Sequence, residues 1–375
     1  MRIASLAMVA AILAGCGAAT TPAPAPTPTP VPTKSPSELT DLPTPPVISS
    51  DRPIPAPVTS ETVNVPAIID ATGSSDASAA LNAWIATVPD GSVISFPPGG
   101  TFRLTAGIQL TNRHNLVLEG NGATLRPTGQ LDTHVGSAFA LWGYPPNTDI
   151  VIRNFTIIGQ NTDPGRYHGA TNENRFGVLI YGGSRVEVAN VTMLNTWSDY
   201  VEVAPRLTGS GDQIPAEQIW IHDNSLTGSG RMGIAVISAT HVLIERNTFD
   251  LTAGSTLDIE PNADCAAGVG WVTFRDNVIL RGGSMEPSFV AANGYHAIHD
   301  VTITGNKTNG RLATDITVPR RTSIVFTNNT AQFRAYGPVL TFAHIDGLTV
   351  TGNVQPLISG PLASITDSTD VIYEP

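Results

Sequence analysis

The chain has 375 residues, and its 31 acidic against 20 basic side chains give a formal net charge of −11. Charged residues make up only 14% of the chain, below the ~25% of an average soluble domain. An acidic chain without a basic cluster argues against nucleic-acid binding, because lysines and arginines must displace the counterions of the phosphates. Its two cysteines cannot form a disulfide framework.

The N-terminal segment has the features of an export signal. Arg2 is followed by a short apolar run, which is typical of a secretory signal and too short to span a bilayer. The run ends in four residues that resemble the lipobox of bacterial lipoproteins, Leu13-Ala14-Gly15-Cys16. That resemblance implies that residues 1–15 are removed as a signal peptide and that the thiol of Cys16 carries lipid. The protein would then be exported and held at the bacterial membrane by this lipid alone. The alternative is a plain signal peptide with an incidental cysteine.

Residues 16–62 are predicted to form a tether. Thirteen of the 30 prolines lie between Thr21 and Ser60, and many of them alternate with Ala or Thr. Such a segment cannot bury a core and favours extended polyproline II, at ~3.1 Å per residue. The tether would hold a single folded domain, residues 63–375, away from the membrane.

From about residue 66 onward, short runs of alternating apolar residues recur, and each run ends in an asparagine. The nine asparagines lie 23 to 36 residues apart: Asn121, Asn154, Asn190, Asn224, Asn247, Asn277, Asn306, Asn329 and Asn353. A period of 20–50 residues indicates a solenoid. Because the runs have the two-residue period of strands and no helical pattern separates them, the sequence predicts an all-β parallel β-helix of about 9–11 coils. We expect the asparagines to be structural, since Asn tolerates left-handed corners and its amide can bond the next coil.

A short helix is predicted ahead of the coils, where apolar residues from Ala80 to Ile85 have helical spacing. The open end of a solenoid exposes core and strand edge, and such a helix would cap it. This helix, the strand Val93–Gly99 and the repeated coils together resemble the pectin lyase-like superfamily of right-handed parallel β-helices, over about residues 66–365. The resemblance implies the fold but not one activity, because the superfamily includes lyases, glycoside hydrolases, epimerases and non-catalytic spikes.

The second strand of each coil carries the candidate catalytic residues. Where the apolar residues of these strands face the core, alternation turns the intervening residues outward. The outward residues are Tyr200 and Glu202 on one strand and Asp258 and Glu260 two coils later. Arg231 begins the strand between them, and small residues follow it. The sequence therefore predicts carboxylates on both sides of a shallow floor, with an arginine at its edge.

The predicted spacing of these carboxylates suits glycoside hydrolysis. The backbones of Asp258 and Glu260 would lie ~6.6 Å apart on one strand. Glu202, two coils away, would lie ~9.6 Å from them along the stack. These values bracket the separations used by paired carboxylates in glycoside hydrolases. We expect Asp258 or Glu260 to act as the acid and Asp199 or Glu202 as the base. Arg231 would bind a carboxylated sugar through a bidentate contact.

β-Elimination is the second chemistry open to these residues. It requires a base beside C5 of the sugar and stabilisation of enolate-like charge, for which Arg231 and Tyr200 are the candidates. The segment Asp258–Asn262, together with Arg231 and Asp199, resembles a recurrent set in bacterial β-helix proteins that are loosely described as pectate-lyase-like. In a structural alternative, Asp199 holds a corner by accepting backbone hydrogen bonds.

The loop from Gln160 to Arg175 is the longest insertion, and long loops on a solenoid often line the binding face. The residues predicted to contact substrate are Tyr200, Arg175, His168, Tyr181 and Asn262. His168 is a candidate general base, with a solvent-exposed histidine as the alternative.

Other motifs are weaker. The run Trp220–Asp223 resembles the W-I-D-H run of calcium-dependent pectate lyases with its last two residues reversed, but it also fits the coil pattern, which favours a scaffold role. Asn161–Asp163 resembles the N-T-D of polygalacturonases, whose other motifs are absent. No His/Cys cluster has zinc spacing, so we expect no metal cofactor; calcium is possible but not supported. Cys265 is expected to be an inert buried thiol.

Together these features predict an exported lipoprotein whose β-helix binds and cleaves an extracellular, uronate-containing polysaccharide. Hydrolysis is slightly favoured over elimination, because it needs only the carboxylate pair. The alternative from a different class is a non-catalytic surface module that binds a glycan or adheres to a partner. No cofactor and no nucleic-acid partner are expected.

Overall fold

The computed structural model describes most of the chain from Arg52 onward. The described residues are 52–128, 136–168, 174–208, 210–263, 265, 267–282, 290–312, 314–316 and 320–374. The predicted signal peptide, the predicted lipid attachment at Cys16 and most of the predicted tether lie outside them. Within the described residues, no helix is long and apolar enough to cross a membrane.

The strands stack into three long parallel sheets, which we call sheets A, B and C. A typical coil contributes one strand to each sheet in turn, and each strand pairs with the equivalent strand of the next coil. Sheet A consists of β1 (Glu61–Asn64), β3 (Ser92–Ser95), β6 (His114–Glu119), β9 (Thr148–Arg153), β12 (Ser184–Ala189), β17 (Ala216–His222), β20 (Ala239–Glu245), β23 (Val269–Arg275), β26 (Ile298–Thr304), β29 (Arg321–Thr327), β33 (Ile345–Thr351) and β36 (Thr369–Tyr373). Sheet B consists of β2 (Thr72–Asp76), β4 (Thr101–Leu104), β7 (Thr124–Pro127), β10 (Thr156–Ile158), β13 (Thr192–Leu194), β18 (Ser225–Thr227), β21 (Thr248–Asp250), β24 (Val278–Ile279), β27 (Lys307–Thr308) and β30 (Thr330–Ala331). Sheet C consists of β5 (Ile108–Thr111), β8 (Phe139–Trp142), β11 (Val178–Tyr181), β14 (Val201–Ala204), β19 (Ile234–Val236), β22 (Leu257–Ile259), β25 (Val290–Ala292) and β28 (Thr314–Asp315).

Short strand pairs complete the described structure. They are the antiparallel pair β15 (Arg206–Leu207) with β16 (Gln213–Ile214), and the parallel pairs β31 (Ala335–Tyr336) with β34 (Leu357–Ser359) and β32 (Leu340–Ala343) with β35 (Ala363–Thr366). A single bridge from Ile316 to Phe342 continues sheet C toward β32. The predicted all-β parallel β-helix is therefore confirmed.

The predicted capping helix is also present, as α1 (Ser78–Ile85). Its apolar side covers the first coil, because Leu81 and Ile85 are buried in the same core as the strand residues. The amide of Asn82 fixes the helix to the coil, since Nδ2 donates to Gly107 O at 2.9 Å and Oδ1 accepts from Gln109 N at 2.8 Å. The end of the solenoid that would expose core is thus closed by a helix of eight residues.

The repeated asparagines are structural, as expected, but they occupy two different positions. Six are buried and form a ladder in which each Nδ2 donates to Oδ1 of the next at 2.8 to 3.0 Å: Asn224, Asn247, Asn277, Asn306, Asn329 and Asn353. The other three, Asn121, Asn154 and Asn190, adopt left-handed corners with φ of 51°, 60° and 52°. From Asp223 onward, a residue other than the ladder asparagine takes the left-handed corner, which leaves the asparagine side chain free to stack.

The residues before β1 pack on sheet A. Arg52 pairs with Glu187 of β12, and its guanidinium carbon lies 5.4 Å from the ring centroid of Trp220 on β17. Ile54 is buried, and Val58 N donates to Asn115 Oδ1 at 3.1 Å. The packed region therefore extends to residue 52, into the segment predicted as tether.

Candidate functional site

The outward face of sheet C carries the predicted carboxylates. Glu202, Ala235 and Asp258 are register partners on β14, β19 and β22. On β22 the flanking Leu257 and Ile259 are fully buried in the core, so Asp258 between them faces outward. The structure therefore places Glu202 and Asp258 on one column, two coils apart, as the alternation predicted.

Asp258 is shielded from solvent although it faces outward. The residue is only 5% exposed. Burial raises the pKa of the Asp258 carboxyl well above its usual range, and the negative charges of Glu260 and Asp199 raise it further, whereas Arg231 opposes the shift. Glu202 and Glu260 remain partly exposed. One carboxyl of this group thus has a raised pKa and lies beside others that retain contact with solvent.

The predicted shallow floor of small residues is covered. Ala235 is 2% exposed and packs in a buried cluster with Ala204, Ile237 and Cys265, against which Tyr181 is partly buried. Cys265 comes from the turn after β22, and this turn lies over the small residues of sheet C. The predicted shallow floor is therefore not open to a sugar ring at Ala235, because Cys265 packs on it.

Asp199 and Arg231 meet at the edge of this face. Asp199 is fully buried; its Oδ1 accepts from Met232 N at 2.7 Å, and its Oδ2 lies 3.7 Å from Arg231 Nη1. Burial raises the pKa of Asp199, while the charge of Arg231 and the hydrogen bond from Met232 lower it. One carboxylate oxygen of Asp199 thus accepts a backbone hydrogen bond at a corner of the coil, which is the structural role considered from the sequence. The other oxygen faces Arg231.

Tyr167 joins the site although it was not predicted as a site residue. It forms a side-chain hydrogen bond with Arg231. Burial raises the pKa of Tyr167, Arg231 opposes the shift, and the charges of Asp199 and Asp258 add to it. Tyr167 therefore lies within electrostatic range of both buried carboxyls. In the sequence, the position of Tyr167 in the long loop, next to His168, is the signal that could have identified it as a site residue.

The prediction for Tyr200 is wrong. Its side chain is fully buried in the core, where its hydroxyl donates to Asp250 O and accepts from Ser229 N, both at 3.0 Å. Burial raises the pKa of this phenol above its usual range. Because β14 begins only at Val201, Tyr200 belongs to the preceding turn, where strand alternation does not apply. Tyr200 is thus unable to contact substrate or to act as a base.

His168 and Arg175 are brought together at Trp197, in the turn before β14. The His168 ring stacks on the Trp197 indole at a centroid distance of 5.3 Å, and its Nε2 lies 3.1 Å from Asn161 Oδ1. His168 N donates to Gly230 O at 3.0 Å, which fixes the loop beside Arg231. The guanidinium carbon of Arg175 lies 5.4 Å from the indole centroid. His168 is partly buried here, unlike the exposed loop histidine of the alternative.

The remaining predicted residues lie around the turn that follows β22. Tyr181 is on the outward face of β11, partly buried. Asn262 lies two residues beyond Glu260, and its backbone oxygen accepts from Cys265 N at 2.8 Å. Cys265 is a free, buried thiol, as expected.

The motif at Trp220–Asp223 is part of the scaffold. His222 lies on sheet A, stacked on Trp220 at 3.6 Å, with its ring nitrogens 3.3 Å from Glu187 and 2.6 Å from Asp223. The Asn161 amide likewise serves the backbone, donating to Gly228 O at 3.2 Å. Among the described residues, no group of three or more His, Cys, Asp or Glu is arranged to hold a metal ion.

Comparison with known proteins agrees with this architecture. Residues 147–331 match a family model described as a right handed beta helix region. No curated protein sequence matches the chain.

Solved structures with a similar fold include endo-xylogalacturonan hydrolase from Aspergillus tubingensis, at 14% identity over 83% of this chain and 90% of that one, with a TM-score of 0.55. DFA-IIIase from Arthrobacter chlorophenolicus A6, in complex with GF2, has 14% identity over 83% and 82% of the two chains and a TM-score of 0.54. PfbA, a surface adhesin of Streptococcus pneumoniae, has 15% identity over 81% and 90%, with a TM-score of 0.49. At these identities the likeness concerns the fold alone. The chain therefore folds as a right-handed parallel β-helix, the architecture that the family model describes for residues 147–331.

Proposed function

We propose that the outward face of sheet C around Asp258 binds and cleaves an extracellular, uronate-containing polysaccharide by glycoside hydrolysis. The observation that carries this proposal is the shared outward column of Glu202 and Asp258, with only Ala235 between them. Two parallel strand spacings separate their backbones by ~9.6 Å. Flexible carboxylate side chains can close that separation to the ~6.5–9.5 Å used by inverting glycosidases.

The two carboxyls suit different roles. Burial and neighbouring negative charges raise the pKa of Asp258, which favours the protonated carboxyl that a general acid needs to donate to the glycosidic oxygen. Glu202 is partly exposed and is suited to take a proton from the attacking water. The sugar would approach from the side of Glu202 and Glu260, the partly exposed members of the group.

Arg231 and Tyr167 would bind the carboxylate of the substrate. Arg231 lies at the edge of the carboxyl group, next to Asp199, and it bonds the phenol of Tyr167. A guanidinium recognises a carboxylate through two parallel hydrogen bonds. β-Elimination is less favoured, because Tyr200 is in the core and the pKa of Tyr167 is raised, which opposes a role as base.

A panel of polysaccharides tests this function. The purified protein is incubated with polygalacturonate, xylan, alginate and neutral dextran, and both new reducing ends and the ultraviolet absorbance of an unsaturated sugar are followed. Reducing ends without absorbance support hydrolysis, whereas absorbance indicates a lyase. Retention on a glycan without either signal would replace cleavage with the binding function.

The cellular location is part of the same proposal. Export and lipid attachment at Cys16 rest on the lipobox-like run Leu13–Cys16. Replacing Cys16 with Ser should move the protein from the membrane fraction to the soluble fraction in a bacterial host. Unchanged membrane association of the Cys16→Ser protein would exclude the lipid as its anchor.

A further inference from the structure

Two arginines of sheet B lie directly next to each other. Arg103 on β4 and Arg126 on β7 are register partners, so their backbones are separated by one strand spacing, ~4.8 Å. The flanking Phe102, Leu104 and Leu125 are buried in the core. Both arginines therefore point outward, Arg103 partly buried and Arg126 exposed.

Most arginines of the described residues have a carboxylate partner. Ion pairs with N–O distances of 2.5 to 2.9 Å join Arg113 to Asp90, Arg153 to Glu119, Arg185 to Asp149, Arg246 to Asp223, Arg275 to Glu245, Arg281 to Asp250 and Arg320 to Asp346. Arg103 and Arg126 have no such partner among the described residues, and Arg103 Nε is buried without a hydrogen bond. In a chain of net charge −11, this pair of unneutralised cations departs from the general pattern.

The nearest register partner with a carboxylate does not neutralise them. Asp76 on β2 is paired with Arg103 in the sheet. Its two oxygens accept hydrogen bonds from the backbone and hydroxyl groups of Ser78 and Thr105, at 2.5 to 3.1 Å. The Asp76 carboxylate is thus hydrogen-bonded to the start of α1 and to the turn after β4, and not paired with the arginines.

A small cleft near the end of β7 holds a third arginine of the same kind. Pro127, which follows Arg126 on β7, lines this cleft together with Gln160, Arg175 and Trp197. The guanidinium of Arg175 lies over the Trp197 ring, and no carboxylate of the described residues is within ion-pair distance of it.

Like charges on directly opposed strand positions destabilise a sheet. An oxyanion placed between two guanidinium groups removes the repulsion and accepts charge-assisted hydrogen bonds from both. We propose that Arg103 and Arg126 form a binding site for a carboxylate or sulfate group of an acidic polysaccharide. This site is on sheet B, goes beyond the proposed cleavage function and does not depend on it.

The test uses the full chain and two charged polymers, polygalacturonate and dextran sulfate, with neutral dextran as the uncharged reference. Binding is measured by titration calorimetry at low ionic strength, where screening is weak. The double variant Arg103→Gln/Arg126→Gln should bind the preferred charged polymer at least about tenfold more weakly than the unaltered protein. Preference for polygalacturonate identifies the group as carboxylate, and preference for dextran sulfate, which carries no carboxylate, identifies it as sulfate.

Arg334→Gln is the matched control, because Arg334 is exposed, on a distant coil, and carries the same charge. It should leave the affinity unchanged. If the double glutamine variant fails to fold, Arg103→Lys/Arg126→Lys keeps the charge but loses the bidentate geometry, and it should still weaken binding.

Several results would overturn the proposal. The unaltered protein could bind neither charged polymer, or it could bind dextran as tightly as the charged ones. Arg334→Gln could lose as much affinity as the double variant, or both double variants could keep the affinity of the unaltered protein. Binding to phosphatidylglycerol vesicles that requires both arginines, without binding to soluble glycan, would equally overturn it in favour of a membrane surface.

Discussion

Glu202 and Asp258 occupy the same outward position of sheet C, two coils apart, yet their surroundings differ. Glu202 is partly exposed, whereas Asp258 is 5% exposed and has a pKa that burial and neighbouring negative charges raise. A buried carboxyl with a raised pKa beside a more exposed one is suited to act as the acid of an acid–base pair.

Replacing Asp258 with Asn should abolish cleavage and preserve the fold. The amide has the shape of the carboxyl but cannot donate the proton, and loss of a general acid typically costs ~10²–10⁴-fold in rate. Asp370→Asn is the control, because Asp370 is exposed on the last strand of sheet A. Reducing-end assays and circular dichroism give the two readouts. Turnover equal to that of Asp370→Asn would remove Asp258 from the catalytic residues.

The same variant should be more stable than the unaltered protein at neutral pH. A carboxyl whose pKa is raised on folding binds a proton more tightly in the folded state, so it lowers stability as pH rises from the unfolded value of ~3.9 toward the folded pKa. The melting temperature of Asp258→Asn should exceed that of the unaltered protein by at least ~2 °C at pH ~7. The difference should vanish near pH ~4. A constant difference across this range would contradict the raised pKa.

Glu260→Gln should move the pH dependence of cleavage toward acid. The negative charge of Glu260 raises the pKa of Asp258, so its removal lowers that pKa. Because Asp258 must be protonated to act as the acid, activity should be lost at a lower pH than in the unaltered protein. The measurement is kcat against pH, with Glu374→Gln, at an exposed C-terminal position, as the control. An unchanged basic limb would show that Glu260 does not influence the acid.

Tyr167→Phe and Tyr200→Phe should have opposite effects. Removing the Tyr200 hydroxyl leaves Ser229 N without its partner in the core, which should cost ~1–3 kcal/mol of unfolding free energy and leave KM unchanged. Removing the Tyr167 hydroxyl breaks its bond with Arg231 and should raise KM with little loss of stability. Urea unfolding and steady-state kinetics distinguish the two variants. The reverse pattern would restore Tyr200 to the binding site.

The fold could be predicted because its determinants are local and repeated. Each coil carries a period-two apolar run and a polar corner, and a stack of similar coils leaves little freedom in how they pair. The two positions of the asparagines could not be separated by this pattern. Asn190 and Asn224 follow similar runs, but an aspartate takes the left-handed corner before Asn224 and leaves its side chain free for the ladder.

The site could be predicted only where its residues lie within strands. Alternation placed Glu202 and Asp258 correctly, but it failed at Tyr200, one residue outside β14. Tyr167 was missed because its contact with Arg231 depends on how a loop crosses from one coil to others, which no local pattern encodes. The covering of Ala235 by the turn of Cys265 has the same cause.

Arg52→Ala should loosen the segment that precedes the first coil. Arg52 pairs with Glu187, which is 3% exposed, and lies over Trp220, so its loss leaves a buried carboxylate with one cation fewer. Because Arg52 itself is partly exposed, we expect a moderate cost of ~1–2 kcal/mol in unfolding free energy. Limited proteolysis should cut near residues 52–58 sooner than in the unaltered protein. Arg334→Ala, an exposed arginine of the last coils, is the control. Equal cleavage rates for both variants would show that Arg52 does not fasten this segment to sheet A.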